Sequence, residues 1–287
     1  MSSKTVLFAL LSIGAQAQWL NYRTPGTPRT PDGNPNLIAP APKALDRNPD
    51  LSGVWMHETT TPAEMKRLFG KMIEQAIAVD VPGMEIGTQH KYAFDILVDQ
   101  KPEEGLLRPA AVEKLRQNAA AINLNGCPAA GSTLGAGAPP FPLVGLLSEP
   151  IQIVQAPHMT MVLYEAGNLH RQLHTDGRQL PNEFDLPAFN GYSAGRWEGD
   201  TLVVETAGFN DKTILDVSGH PHSEALHITE RFRRRDFGHL DYEITFDDAK
   251  MYTRPFTVKI PHELLPDSDI FETYPENEKD FAHICKR

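Results

Sequence analysis

From Pro150 onward the chain is a succession of short segments in which apolar and polar residues alternate, each ended by a turn-forming group. Residues 151–155, 159–165, 169–174, 192–197, 201–206, 226–234, 239–246 and 252–260 read this way. The punctuation between them is Ala166-Gly167, Asp176-Gly177, Glu198-Gly199-Asp200, Asp236-Phe237-Gly238 and Asp247-Asp248. Period-two alternation places one face of each segment in a core, and close-set turns link neighbours as hairpins. The pattern predicts a mainly β fold, an antiparallel meander. With a strand at Gly53-Val54-Trp55 the count is about nine, enough to close into a barrel and remove exposed sheet edges. No internal repeat is read from the sequence.

Ahead of the strands the chain changes character three times. Lys4, the apolar run 5–14 and Ala15-Gln16-Ala17 have the layout of a secretory leader cleaved after Ala17, so residues 1–17 are expected to be removed. Residues 18–49 form a proline-rich arm, with seven prolines between 21 and 50, either a flexible arm or a strap across the body. The domain then runs from 50 to 287 with a helical insertion at 62–122. Thr61-Pro62-x-Glu64 supplies an N-cap, a first-turn proline and a capping acid. Met65, Leu68, Phe69, Met72, Ile73, Ala76 and Ile77 follow at helical spacing. A second helix is expected over 109–122, and residues 131–145 read as a loop.

Alternation also says which polar groups face inward. In 226–234 the apolar face holds Leu226, Ile228 and Phe232, with Glu230 among them; in 169–174 Arg171 lies between Leu169 and Leu173. In 159–165 the inward set reads as Met159, Met161 and Leu163, with Glu165 at its end. A lone buried charge costs several kcal/mol, so Arg171 and Glu230 are expected to meet inside the barrel. They serve there either as a structural ion pair or as the polar end of a pocket, in which Tyr192, Glu165, His170 and His174 complete the ligand-orienting set. His170 and His174, with Asp176 and Arg178, also read simply as solvated residues about a turn. The run Arg231–Arg235 reads as a solvated hairpin end and Trp197 as framework.

The connection 208–224 (GFNDKTILDVSGHPHSE) is long for a hairpin loop and carries Phe209, Ile214, Leu215 and Val217, so it is read as a packed lid over one barrel mouth. In it His220, His222 and Glu224 alternate and would share a direction if extended. Three uses are open: loop packing, acid–base chemistry by His222 oriented by Glu224, or a Zn or Fe site of His220, His222 and Glu224. The spacing is not that of H-E-x-x-H. No nucleophile elbow, Walker loop, dinucleotide fingerprint or C-x-x-C occurs in the chain.

The runs GYSAGRWEGDTLVVETAGFND (191–211) and GHPHSEALHITERFRRRDFGHLDYEITFDDAKMYTRPFTV (219–258) resemble those of a large family of exported bacterial proteins of undefined function. The resemblance extends from about Asp50 to His283. It implies a lipocalin- or calycin-type barrel, in keeping with the G-x-W at Gly53–Trp55, and no reaction. Many members carry a Cys just before E-N-E-K-D where this chain has Tyr274-Pro275, and a bulky aromatic where Ile214 stands. A bridge between Cys127 and Cys285 is therefore not implied by the family, and the two either pair in an oxidising compartment or remain thiols.

Three functional readings follow. The first is a periplasmic or secreted barrel that holds a small, largely apolar ligand in its interior without a cofactor. The second is a cofactor-independent enzyme, a lyase, isomerase or cyclase acting on a lipophilic substrate, with His222, Glu224 and Arg171 as its machinery. The third is an envelope protein attached through the proline-rich arm. Nucleic acid and anionic membrane are excluded as partners by charge: without residues 1–17 the chain has 26 basic against 37 acidic residues, a balance of −11. No stretch is long and apolar enough for membrane insertion.

Overall fold

The computed structural model describes residues 22–70, 90–101, 105–121, 141–142, 145 and 149–271. The expected leader, Cys127, Cys285 and the part of the expected helical stripe from Met72 to Ile77 lie outside the described residues. The described part is a mixed β-barrel. Its strands are β1 (Gly53–His57), β2 (Ile151–Ala156), β3 (Met159–Tyr164), β4 (Leu169–His174), β5 (Tyr192–Glu198), β6 (Thr201–Ala207), β7 (His227–Arg234), β8 (His239–Asp247), β9 (Phe256–Lys259) and β10 (His262–Leu264). Neighbours in sequence are neighbours in the sheet from β1 to β9.

β9 and β10 are one strand in two pieces. Lys259 lies opposite Glu243 and His262 opposite Leu240, the same register throughout, and the Ile260 amide still donates to Tyr242 (2.8 Å). Pro261 has no N–H to offer and interrupts the ladder. The second piece also pairs with β1, Trp55 opposite Leu264, which closes a nine-stranded barrel.

The meander is antiparallel except at one place. β4 and β5 run parallel, joined only at Leu173–Ser193 and His174–Ala194. A parallel pair requires a crossover longer than a hairpin turn. The connection from Thr175 to Gly191 supplies it, so Asp176-Gly177 begins an excursion and does not turn a hairpin. The faces of β3 are also the reverse of the expected ones: Thr160, Val162 and Tyr164 are buried, and Met159, Met161 and Leu163 are half-buried on the outer side. The cause is cross-strand pairing, since Val162 is opposite the inward Arg171 and partners share a face.

One end of the barrel is closed by Trp55 and Arg234. The Trp55 indole donates to Leu51 O (3.0 Å), and the Arg234 guanidinium lies 4.9 Å from the Trp55 ring and 5.0 Å from that of Phe237. Arg234 donates to Asp50 O and Phe237 O, and its burial lowers its pKa to about 10. It is therefore no part of a solvated hairpin end. Arg231, paired with Glu198, and Arg235, paired with Asp241, keep the outward positions.

The proline-rich segment is a strap beneath this floor, and it contains a repeat that the sequence reading missed. Pro28-Arg29-Thr30-Pro31-Asp32-Gly33-Asn34-Pro35 and Pro42-Lys43-Ala44-Leu45-Asp46-Arg47-Asn48-Pro49 fold alike. Arg29 bridges Pro35 and Lys43 bridges Pro49; Thr30 N bonds Asn34 O as Ala44 N bonds Asn48 O; Gly33 and Arg47 both have positive φ. Each copy turns its basic residue on an aspartate of the body, Arg29 on Asp267 (2.6 Å) and Lys43 on Asp200 (2.7 Å). Between the copies, Leu37 O and Ala39 O accept the amides of Gly238 and Phe237.

The other end carries the helices and the lid. Helix α1 (Pro62–Phe69) has Thr61 as its cap, accepting from the Glu64 amide, and buries Met65; the Glu64 carboxylate pairs with Arg67. Helices α2 (Lys91–Phe94) and α3 (Pro109–Ala121) flank the 208–224 segment, which is buried at Thr213, Leu215, Asp216 and from Gly219 to Ser223. Val217 N and Ser218 N donate to Ala93 O and Phe94 O, and Asn118 Nδ2 to Gly219 O.

Candidate functional site

The inward charges of β4 and β7 meet. Arg171 places Nη2 2.6 Å and Nη1 3.0 Å from the two Glu230 oxygens, a bidentate pair whose side chains are 2% and 0% exposed. The remaining groups are nearly all engaged. Tyr242 donates to Glu230 Oε1 (2.7 Å), and Arg171 donates to Ser193, Thr206 and Tyr164 hydroxyls at 3.2–3.3 Å. The Phe141 ring covers the guanidinium at 3.4 Å from Cζ. Burial opposes the charge on Arg171, but the Glu230 carboxylate outweighs it and holds the pKa above the ordinary arginine value. Burial, then the same carboxylate, pushes the Tyr242 phenol far up. Since the charge of Arg171 is committed to Glu230, drawing it to an outside anion would strand a buried carboxylate, at a cost of several kcal/mol. Side chains thus occupy the centre of the barrel where a ligand was expected.

A cavity lies in the wall. With only two residue pairs joining β4 to β5, the first half of β4 and the incoming 188–192 segment part. A cavity of about 320 Å³ occupies the gap, lined by His170, Arg171, His174, Ala188, Phe189 and Tyr192 among others. Its aromatic rim is exposed yet fixed. Tyr192 is 42% exposed, donates its hydroxyl to Leu186 O (2.9 Å) and stacks on Phe184 at 5.5 Å; Phe189 is 45% exposed. Phe184 in turn rests on Gly208, where any Cβ would come within 2.4 Å of its ring. Two side-chain nitrogens of these residues, Arg171 Nε and His174 Nδ1, are buried from solvent and have no hydrogen-bond partner among the described residues.

Of the expected ligand set, His170, His174 and Tyr192 therefore come together, with Arg171 joining the wall and Glu230 standing behind it. Glu165 does not join them: it accepts the Phe271 amide (2.8 Å), and burial raises its pKa.

The lid histidines and Glu224 do not share a direction, because the lid is no strand. Ile214 bridges Pro221, folding the segment back on itself. His222 is fully buried; Nδ1 faces Ser223 O (3.1 Å), Nε2 meets the Thr213 hydroxyl, and burial lowers its pKa. Both ring nitrogens are thus engaged by groups of the protein, and the ring is closed off from solvent. Glu224 is exposed and pairs with Lys250, so it neither orients His222 nor shares a metal with it. His220 instead places Nδ1 2.6 Å from Asp216 Oδ2 and 3.8 Å from Asp95 Oδ1. Burial opposes protonation of His220, but the Asp216 hydrogen bond and charge prevail and raise its pKa.

A second group of histidines was not singled out in the sequence. His57 and His262 face inward as cross-strand partners, and His90 caps α2; ring centroids are 5.7 Å apart for His57–His90 and 6.3 Å for His57–His262. Burial drives the pKa of both His90 and His262 down to about 3, so both are neutral. His57 was legible, two positions beyond the inward Trp55. His262 was not, because Pro261 hides the strand that carries it.

No family model matches this chain, and no curated protein or solved structure matches it.

Proposed function

We propose that the barrel binds a small, largely apolar molecule in the wall cavity between β4 and the 188–192 segment, and not in its filled interior. The observation that carries this reading is the rim: Tyr192 and Phe189 hold aromatic surface in solvent, and Phe184, Gly208 and Leu186 O hold the Tyr192 ring in place. Fixed apolar surface beside a concavity favours an apolar guest, because ligand burial removes that surface from water with little ordering cost. The charge balance of the Arg171–Glu230 pair favours a neutral guest beside it. The leader read at residues 1–17 supports a periplasmic or secreted site of action.

Two measurements test the reading. Native mass spectrometry of protein purified from its own host looks for a co-purifying mass, and the neutral fluorescent probe N-phenyl-1-naphthylamine reports on the cavity. Ala188→Trp, which fills the cavity, is expected to abolish the co-purifying mass. Tyr192→Ala removes about 2 kcal/mol of ring burial and should weaken the probe more than tenfold, with the melting temperature nearly unchanged. Probe binding that neither change affects overturns the wall site.

A further inference from the structure

The docking of the lid on α2 gathers three metal-ligating side chains outside the wall cavity. Asp95 is the C-terminal cap of α2, and Asp216 and His220 belong to the lid. One oxygen of each carboxylate and one ring nitrogen of His220 all lie within 4.8 Å of one another. The Asp216 side chain is 0% exposed, that of His220 8% and that of Asp95 33%, so the group is buried with one side toward solvent. Main-chain amides fix the carboxylates: Ile96 N (2.6 Å) and His220 N (3.1 Å) donate to Asp216, and Leu97 N (2.8 Å) to Asp95.

The charges of this group do not balance. Among the described residues no Lys or Arg pairs with Asp95 or Asp216, and His220 is their one ionisable partner. Two carboxylates thus face at most one positive charge. Tyr252, packed nearby, has its pKa raised by burial and then by Asp216, Asp248 and Asp95 together, so negative charge dominates the surroundings. Asp248 is spent on the amides of Ser223, Lys250 and Met251 and the Ser223 hydroxyl. A dication placed among the three atoms would take the position of the proton on Nδ1 and neutralise both carboxylates.

We propose that Asp95, Asp216 and His220 form a binding site for a divalent transition-metal ion that ties the lid to α2. Metal–ligand distances of about 2.0–2.2 Å fit three donors at the observed spacing after shifts of less than about 1 Å. One imidazole nitrogen and two carboxylate oxygens suit Zn²⁺ or Mn²⁺, with water completing the shell on the Asp95 side. His220 is the one residue shared with the ligand set expected from sequence, since His222 has no free nitrogen and Glu224 lies in solvent with Lys250. The buried trio His57, His90 and His262 does not bring its nitrogens as close together.

The test uses the full chain stripped with chelator and titrated with Zn²⁺ in a calorimeter, then with Co²⁺ in a spectrophotometer. One equivalent should bind, with visible Co²⁺ bands from mixed nitrogen and oxygen ligands. Asp95→Asn, nearly isosteric and partly exposed, should weaken Zn²⁺ about tenfold or more, while Glu224→Gln leaves it unchanged. Should Asp95→Asn fail to fold, the wild-type chain decides: its melting temperature must rise with one equivalent of Zn²⁺ over chelator. No saturable binding, wild-type affinity in Asp95→Asn, or an unmoved wild-type melting temperature overturns the site.

Discussion

Arg171 shows how one residue's surroundings decide between two chemistries that its sequence position leaves open. In a polar pocket an inward arginine would seize an anionic ligand. Here it is bidentate to Glu230 and covered by Phe141, so its charge holds β4 to β7 across the barrel. Removing one partner leaves the other charged and buried. Arg171→Leu is therefore expected to cost about 3–5 kcal/mol in urea unfolding, while Arg171→Leu with Glu230→Leu recovers most of the loss. A double variant as unstable as the single one would mean that packing, and not the uncompensated carboxylate, sets the cost.

Among the elements, the strap is the most informative. Its two copies share hydrogen bonds and a residue at positive φ, Gly33 at 83° and Arg47 at 70°. Glycine adopts this conformation freely, whereas a residue with Cβ is strained by about 1 kcal/mol. Gly33→Ala should thus destabilise by about 1 kcal/mol. Arg47→Gly should be neutral or stabilising by a few tenths, because relief of strain is offset by the freer unfolded chain. Chemical denaturation reads both, and a neutral Gly33→Ala would show that the turn does not depend on that conformation. The strap's repeat escaped notice because its similarity lies in spacing, P-[R/K]-x-x-D-x-N-P, with the apolar positions unlike. The parallel β4–β5 pair escaped because a turn-forming Asp-Gly begins both hairpins and crossovers, and only the distance to the next strand distinguishes them.

For the molecule as a whole, the buried histidines His90 and His262 add to the response to acid. His90 and His262 titrate near 3 in the fold and near 6.5 when exposed, so between these values the unfolded chain binds more protons. Their contribution to stability is complete above pH 6.5 and is lost as pH falls toward 3. Each contributes a slope of up to about 1.4 kcal/mol per pH unit over that window. Urea midpoints should fall steeply from pH 6.5 to pH 4.5, and His262→Asn should flatten the fall. An unchanged slope in that variant would remove His262 from the account.

The sequence by itself determined all the strands but the piece at His262–Leu264, the barrel class, the packed lid and the meeting of Arg171 with Glu230. All follow from local alternation and from the penalty on an unpaired buried charge, which act along the chain or across one pair of faces. The expectation that His170, His174 and Tyr192 orient a ligand named three residues that share one cavity, without showing that this cavity is a gap in the wall. That gap, the reversed face of β3, the inward Arg234, the separation of Glu224 from His222 and the gathering of Asp95 with Asp216 and His220 belong to the tertiary structure. Each depends on which distant segment arrives beside a residue: β4 sets the face of β3, the floor claims Arg234, and α2 brings Asp95 to the lid. Periodicity fixes the direction of a side chain relative to its own strand, and contacts made far along the chain decide what it finds there.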